Sequence, residues 1–308
     1  MSFITSTKSA PAKELRQSVW SLSQLVGRTP VREIRLPHDR VIYMKEEGRN
    51  PAGSIKDRPA LNMLLHAIQA GLVTPDTAVA ESTSGNTGIG VAWVCSELGL
   101  EYHNYSPDTL SEQKRALLES YGAILHFAEG GTDDATALLQ KTMDREPGRY
   151  FWTSQFTNDN NWRAHYEHTA PELLRQVPNA DEVWVGFGSG GTSTGFAYAL
   201  AGSGVALKVV QNTLDRAQRV EGMRNLAWIS KPPIADLDAI GRDNMFNTDP
   251  DVLLSLARQV YADNDGLILG PTTAAIMTQA VKSEAPHLVV VSPDNGERYP
   301  QWERDVTS

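Results

Sequence analysis

The feature that most constrains this chain is an alternation, in which short β-type runs give way to amphipathic helical runs almost from end to end. "VIYMKEE" precedes a helical stretch after Pro59, "TAVAES" precedes "TGIGVAWVCSEL", and "EYHNYSP" precedes "SEQKRALLESYG", with "AILHFAEG" next. Beyond Gly148 the pattern restarts with "RYFWTSQF", a helix through "HYEHTAPELLRQV", the strand "DEVWVGFG" and a helix from Thr194. "LKVVQNT", the helices "DPDVLLSLARQVYAD" and "TAAIMTQAVKS", and the strand "HLVVVSP" complete it. Strands separated by helices pair in parallel and bury both faces, so the alternation predicts an α/β fold with largely parallel twisted sheets. Two lobes are expected, a smaller one over residues 41–147 and a larger one built from 1–40 plus 148–308, with the boundary at "REPGRY".

The balance of charge narrows the partners. With 28 basic against 37 acidic residues, a net charge of -9 and no Lys/Arg-rich run, nucleic acid is excluded as a partner and a small-molecule substrate is expected. Cys95, the single cysteine, lies in an apolar run, which excludes a disulfide framework and a thiolate metal site and marks a buried core residue. The N-terminal stretch lacks an apolar segment of signal-peptide length and no later run could span a bilayer, so a cytoplasmic protein is expected. His165 and His168 are one helical turn apart without a carboxylate-flanked ligand set, so they are read as surface helix residues and no metal is expected.

Three segments could carry chemistry. In "NPAGSIKDRPA", Ser54 and Asp57 can cap and Pro59 suits a first turn, so a helix starts between Ile55 and Arg58. Lys56 then sits at the positive end of a helix dipole, where an ammonium is least welcome and a neutral amine or imine is favoured. "ESTSGNTG" (81–88) follows a strand and opens a helix, joining backbone N–H groups to the hydroxyls of Thr83, Ser84 and Thr87 and the amide of Asn86. That is an anion cradle of carboxylate size, without the ending of a nucleotide P-loop.

"GFGSGGTSTG" (186–195) admits three readings. Gly186, Gly188 and Gly191 match a dinucleotide fingerprint with Asp215 as the ribose acid, the mark of a nicotinamide dehydrogenase. Gly191, Ser193 and Gly195 match a nucleophile elbow, although Ser193 stands too far from its strand and His287 is misplaced for a triad. The third reading is a nest of glycine N–H groups around one phosphate, and it needs no missing partner. A lysine at a helix start, a carboxylate cradle and a monophosphate cradle are together what pyridoxal 5′-phosphate uses.

In this order and spacing, "NPAGSIKDRPA", "ESTSGNTGIG", "QFTNDNNWRAHYEHTAPEL" and "GSGGTSTG" resemble the cysteine synthase/cystathionine β-synthase family of pyridoxal-phosphate enzymes, of fold type II. The resemblance runs from "LVGRTPV" to "VVVSPDNGERY". It implies that Lys56 bonds the cofactor and then moves the substrate's Cα proton, and that Asn86 meets the cofactor's 3′-oxygen. Thr83, Ser84, Thr87 and Gln155 are implied to hold the substrate carboxylate, and Gly188, Ser189, Gly190, Gly191 and Thr192 the cofactor phosphate. "LGPTTAA" stands where the family has G-x-S-S-G, which makes Thr272 the residue implied to meet the pyridine nitrogen, with Ala274 replacing a glycine.

The implied reaction is β-replacement on an O-activated L-serine through an aminoacrylate, completed by a small nucleophile, in a homodimer. "VEGMRNLAW" resembles the O-phosphoserine-using branch and makes Arg224 the implied ligand of a leaving phosphate. O-acetylserine is the other activated ester that the resemblance implies. A relative that joins O-phosphoserine to an amino-acid amine on the way to 2,3-diaminopropionate, and a non-catalytic partner protein that merely holds the cofactor, are the alternatives.

Overall fold

The computed structural model describes residues 9–38 and 40–308. Its contacts divide the chain into two compact units. One, the lysine unit, joins the segment ending at Val26 to Lys56–Asn160; the other, the glycine-loop unit, joins Gly27–Ile55 to Asn161–Ser308.

The glycine-loop unit is built on six strands, β1 (Val31–Leu36), β2 (Arg40–Glu46), β7 (Glu182–Gly186), β8 (Ala206–Gln211), β9 (Met245–Asn247) and β10 (Leu288–Ser292), ordered β1-β2-β10-β7-β8-β9. Only the β1–β2 hairpin is antiparallel. All five residues of β10 are buried, the signature of a central strand covered on both faces. The period of two then sorts its side chains: Leu288 and Val290 enter one core, with Ile276 of α11 (Pro271–Ala280) and Val260 of α10 (Pro250–Asp263). Val289 and Val291 enter the other, with Leu173 of α7 (Ala170–Gln176) and Phe196 of α8 (Gly191–Leu200). A π-helical turn, His165–Thr169, joins α6 (Asn160–Ala164) to α7. The short α9 (Leu237–Ile240) and the final α12 (Pro300–Thr307) complete the unit.

The lysine unit holds a four-stranded parallel sheet, β5-β4-β3-β6, from β3 (Ala78–Ser82), β4 (Tyr102–Pro107), β5 (Ile124–Ala128) and β6 (Tyr150–Trp152). On one face α5 (Thr132–Arg145) packs Ala135 and Leu139 against Ala80 and Tyr105. Around the sheet run α2 (Asp57–Gln69), α3 (Asn86–Leu98) and α4 (Glu112–Ser120), and α1 (Ser9–Ser23) packs on α2 and α3. Leu15, Val19 and Leu22 of α1 are buried at helical spacing. Gly99, at φ 65, closes α3, and Cys95 is buried within that helix.

The α/β class is the one the alternation predicts, but the units are cut differently from the expected 41–147 and 1–40 plus 148–308. β2 belongs to the larger sheet because it is hydrogen-bonded on both sides there, to β1 and to β10. Gly148 is a turn (φ 81) leading into β6, which pairs with β3, so the smaller unit continues to Asn160. No helix among the described residues is long and apolar enough to cross a membrane.

Candidate active site

In the lysine unit, Lys56 is the N-cap of α2, and its carbonyl accepts the Ala60 N–H at 3.0 Å. The Lys56 side chain itself makes no capping bond, which leaves its amine to other partners. A Cβ on Gly90 would lie 3.0 Å from the Lys56 carbonyl oxygen, which places the first turns of α2 and α3 in close contact. The loop that starts α3 is therefore next to the lysine. Asn86 is the first residue of α3, and Gly85, its N-cap, again supplies no side-chain cap. Thr83 folds over the loop by accepting the Gly85 N–H at 3.1 Å, and its backbone is held by Tyr105 O and Asn104 Nδ2 of β4.

Thr87 and Gln155, far apart in sequence, meet here: the Thr87 hydroxyl donates to Gln155 Oε1 at 2.7 Å. This bond turns the Gln155 NH₂ away from Thr87. Beneath them Glu81 is buried and accepts four hydrogen bonds, from Ser82 N (2.8 Å), Trp152 Nε1 (3.1 Å), Thr153 Oγ1 (2.6 Å) and Gln155 N (3.0 Å). Burial pushes its carboxyl above the usual range, and the four donors oppose that shift. The start of α3, the Thr83 hydroxyl and the NH₂ of the Gln155 amide fixed by Thr87 form a donor set suited to a carboxylate.

In the glycine-loop unit, the segment after β7 turns sharply into α8. Gly190 is the N-cap, at φ 91, and a Cβ there would lie 2.5 Å from that of Ala235. Gly188 passes so close to the Gly222 carbonyl that a Cβ would sit 2.8 Å from it, and a Cβ on Gly191 would collide with the Asn161 amide. Three glycines are thus demanded by backbone conformation or close approach. Ser189 Oγ accepts from Gly191 N (3.4 Å) and Asn161 Nδ2 (3.3 Å). Thr192 Oγ1 lies 3.3 Å from His165 Nε2, whose Nδ1 is 3.0 Å from Thr169 Oγ1. The N-cap glycine itself brings no side chain, so N–H groups at a ten-residue helix start, with the Ser189 and Thr192 hydroxyls, form a donor set that fits a phosphate monoester.

The same unit gathers Thr272 and the Arg224 segment around this loop. Thr272 Oγ1 donates to Glu221 O at 3.2 Å, and its methyl group would be 3.2 Å from a Cβ on Gly186. The Arg224 N–H donates to Phe187 O at 2.8 Å, one residue before Gly188. The N–H groups and hydroxyls of this loop therefore fit the phosphate of a pyridoxal-phosphate-sized group by the chemistry of their donors.

The expectation that His165 and His168 are surface helix residues is corrected for His165. His165 is fully buried, because the π-helical turn carries it onto α8, whereas His168 is exposed. Ser193 is no exposed nucleophile: it is fully buried and donates to Gly190 O at 3.0 Å within its own helix. Asp215 caps a short 3₁₀ turn through Ala217 N at 2.9 Å. Glu81, Thr153, Asn161 and His165 carry no site role in the motif reading. A carboxylate closing the apolar strand "TAVAES", and the four-residue spacing of Asn161 and His165, were the available signals. Among the described residues no group of three or more His, Cys, Asp or Glu is placed to hold a metal ion.

The family described as "Pyridoxal-phosphate dependent enzyme" matches residues 22–292. A cysteine synthase of Aquifex aeolicus is 30% identical over 314 residues, covering 94% of this chain and 92% of that protein. The crystal structure of a hydrogen sulfide-producing enzyme from Fusobacterium nucleatum superposes with a TM-score of 0.81 at 30% identity, covering 90% of this chain and 97% of the other. That of an O-ureido-L-serine synthase gives 0.81 at 28% identity, covering 90% and 92%.

Proposed function

The chain belongs to the pyridoxal-phosphate dependent enzyme family, and from that premise we propose that it catalyses β-replacement on an O-activated L-serine, in the manner of a cysteine synthase. Support comes from relatives named for cysteine and O-ureido-L-serine synthesis. The observation that carries the reading is the lysine unit itself, where Gly90 presses on the Lys56 carbonyl and Thr87 donates to Gln155 at 2.7 Å. A lysine for a cofactor aldehyde and a cradle for an α-carboxylate share one unit, which is what an amino-acid enzyme requires.

Bound pyridoxal phosphate supplies an electron sink that weakens bonds at the Cα and Cβ of an amino acid. In this reading Lys56 bonds the cofactor and carries the Cα proton. Thr83, Ser84, Thr87 and Gln155 orient the substrate by its carboxylate, which is what aligns the Cα–H with the lysine amine. Asn86 holds the cofactor's 3′-oxygen, and Gly188, Ser189, Gly190, Gly191 and Thr192 hold its phosphate. Thr272 would face the pyridine nitrogen; a hydroxyl cannot hold that nitrogen protonated as a carboxylic acid would, and that suits elimination at Cβ. The protein acts as a homodimer in the cytoplasm.

Arg224 favours O-phosphoserine over O-acetylserine. Its N–H is bonded to Phe187 O, so a guanidinium is carried on the strand of backbone beside the glycine loop. Sulfide-type and amine nucleophiles, the latter leading towards 2,3-diaminopropionate, are distinguished by product. The test mixes the purified enzyme with O-phospho-L-serine and O-acetyl-L-serine separately and follows cofactor absorbance and release of phosphate or acetate. Arg224→Ala is expected to lower kcat/KM for O-phosphoserine by about tenfold or more, one charge-assisted hydrogen bond, with O-acetylserine unaffected. If neither ester alters the spectrum, the β-replacement reading is wrong.

A further inference from the structure

Glu81 is a buried carboxylate that the motif-derived roles leave without a task. Its four partners are all neutral donors, and they join two strands distant in sequence. Oε1 accepts from Ser82 N and Trp152 Nε1, while Oε2 accepts from Thr153 Oγ1 and Gln155 N. The residue therefore ties the end of β3, where the 83–87 loop begins, to the end of β6, where Gln155 begins. Its partner across the sheet is Asn104 of β4, and the nearby Tyr102 phenol is kept neutral, first by burial and then by the Glu81 charge. A carboxylate with four donors has every lone pair used. Only an acceptor-only group of this shape can serve all four at once.

We propose that Glu81 is the positioning residue of the substrate-carboxylate site, setting the Gln155 main chain so that its amide, with Oε1 held by the Thr87 hydroxyl, presents its NH₂ to the carboxylate. This rests on the reading of Thr87 and Gln155 as carboxylate ligands. The arrangement makes the substitution Glu81→Gln unusually directed. An amide has one oxygen and one NH₂, and the NH₂ must turn towards one pair of donors. Ser82 N–H and Trp152 Nε1–H cannot reverse, whereas the Thr153 hydroxyl can turn to accept. The NH₂ therefore faces Thr153 and Gln155, and the one donor left opposed is the Gln155 N–H. The perturbation lands on the residue that carries the function. Glu81→Asp keeps the acceptor-only carboxylate and should recover part of the geometry.

The experiment uses the cofactor-loaded enzyme and measures, by the change in cofactor absorbance, binding of L-serine and of ethanolamine, the same molecule without its carboxylate. Glu81→Gln is expected to weaken L-serine by about tenfold while ethanolamine and pyridoxal phosphate affinities stay within about threefold. KM for the activated serine should rise with kcat nearly unchanged, and Glu81→Asp should lie between Glu81→Gln and the unaltered enzyme. Thr153→Val, which removes one donor and leaves the Gln155 N–H contact, should bind L-serine almost normally. Equal weakening of L-serine and ethanolamine, or no change in either, would overturn the proposal. Gln155→Ala separates the two layers: if it leaves L-serine binding intact, the assignment of Gln155 to the carboxylate is wrong; if it weakens L-serine while Glu81→Gln does not, only the role of Glu81 falls.

Discussion

Gly190→Ala tests the glycine loop most sharply, because two independent costs meet at one methyl group. The residue has φ 91, a conformation that costs an L-residue about 1–2 kcal/mol relative to right-handed backbone. The new Cβ would also lie 2.5 Å from the Ala235 Cβ and 3.0 Å from its Cα, an overpacking that costs roughly 1–3 kcal/mol in a well-packed site. A reduction of about 0.4–1 kcal/mol comes from the stiffer unfolded chain. The net is about 2–4 kcal/mol, divided between folding stability and the binding of whatever the loop holds. Urea unfolding with and without pyridoxal phosphate, together with the cofactor Kd, measures both shares; a cost taken wholly in binding corresponds to roughly a 30- to 1000-fold weaker Kd. Ala235→Gly removes only the Cβ half of the clash. In a double-mutant cycle the pair should show a favourable coupling of about 1–2 kcal/mol while the backbone cost persists. If Gly190→Ala changes both quantities by less than about 0.5 kcal/mol, or the coupling is zero, the loop geometry argued here is wrong.

His126 gives a pH prediction. Its Nε2 lies 2.8 Å from His103 Nδ1 and its ring stacks on Tyr105 at 4.3 Å; burial first, and then the charge of His103, hold it below the ordinary histidine value. A histidine depressed in the fold binds its proton more readily when unfolded, so its contribution is present above about pH 6.5 and is lost as pH falls through the folded value. Urea midpoints from about pH 8 to pH 5 should fall less steeply in His126→Phe, and parallel curves would contradict this. Ser193→Ala should cost no more than about 1 kcal/mol, the worth of one neutral hydrogen bond to Gly190 O, and leave cofactor affinity unchanged. Labelling of Ser193 by a fluorophosphonate would contradict the buried placement.

Much of this arrangement was written in local pattern. The helix expected to start between Ile55 and Arg58 begins at Asp57, and the apolar run "HLVVVSP" contains the fully covered β10, because caps and burial periodicity are properties of neighbouring residues. The grouping of site residues by unit was legible only through resemblance, since Thr87 finds Gln155 through a parallel pairing of β3 with β6 that no short window contains. The same non-local pairing hides the role of Glu81. Where local pattern misled, a specific device was responsible: the π-helical turn that rotates His165 inward, and the two-sided pairing of β2 that moves the lobe boundary. Short β9, three residues long, and the edge hairpin strand β1 offered too little periodicity to be distinguished from loop.

The most direct test of the account is to reduce the pyridoxal-phosphate-loaded protein with borohydride, digest it, and identify the modified peptide by mass spectrometry. The cofactor's mass is predicted on Lys56 alone, in the peptide that ends α2's first turn, and should be missing from Lys56→Ala. An adduct on another lysine with Lys56 unmodified, or no adduct from a protein saturated with cofactor, would contradict the claim that Lys56 is the lysine of a pyridoxal-phosphate enzyme.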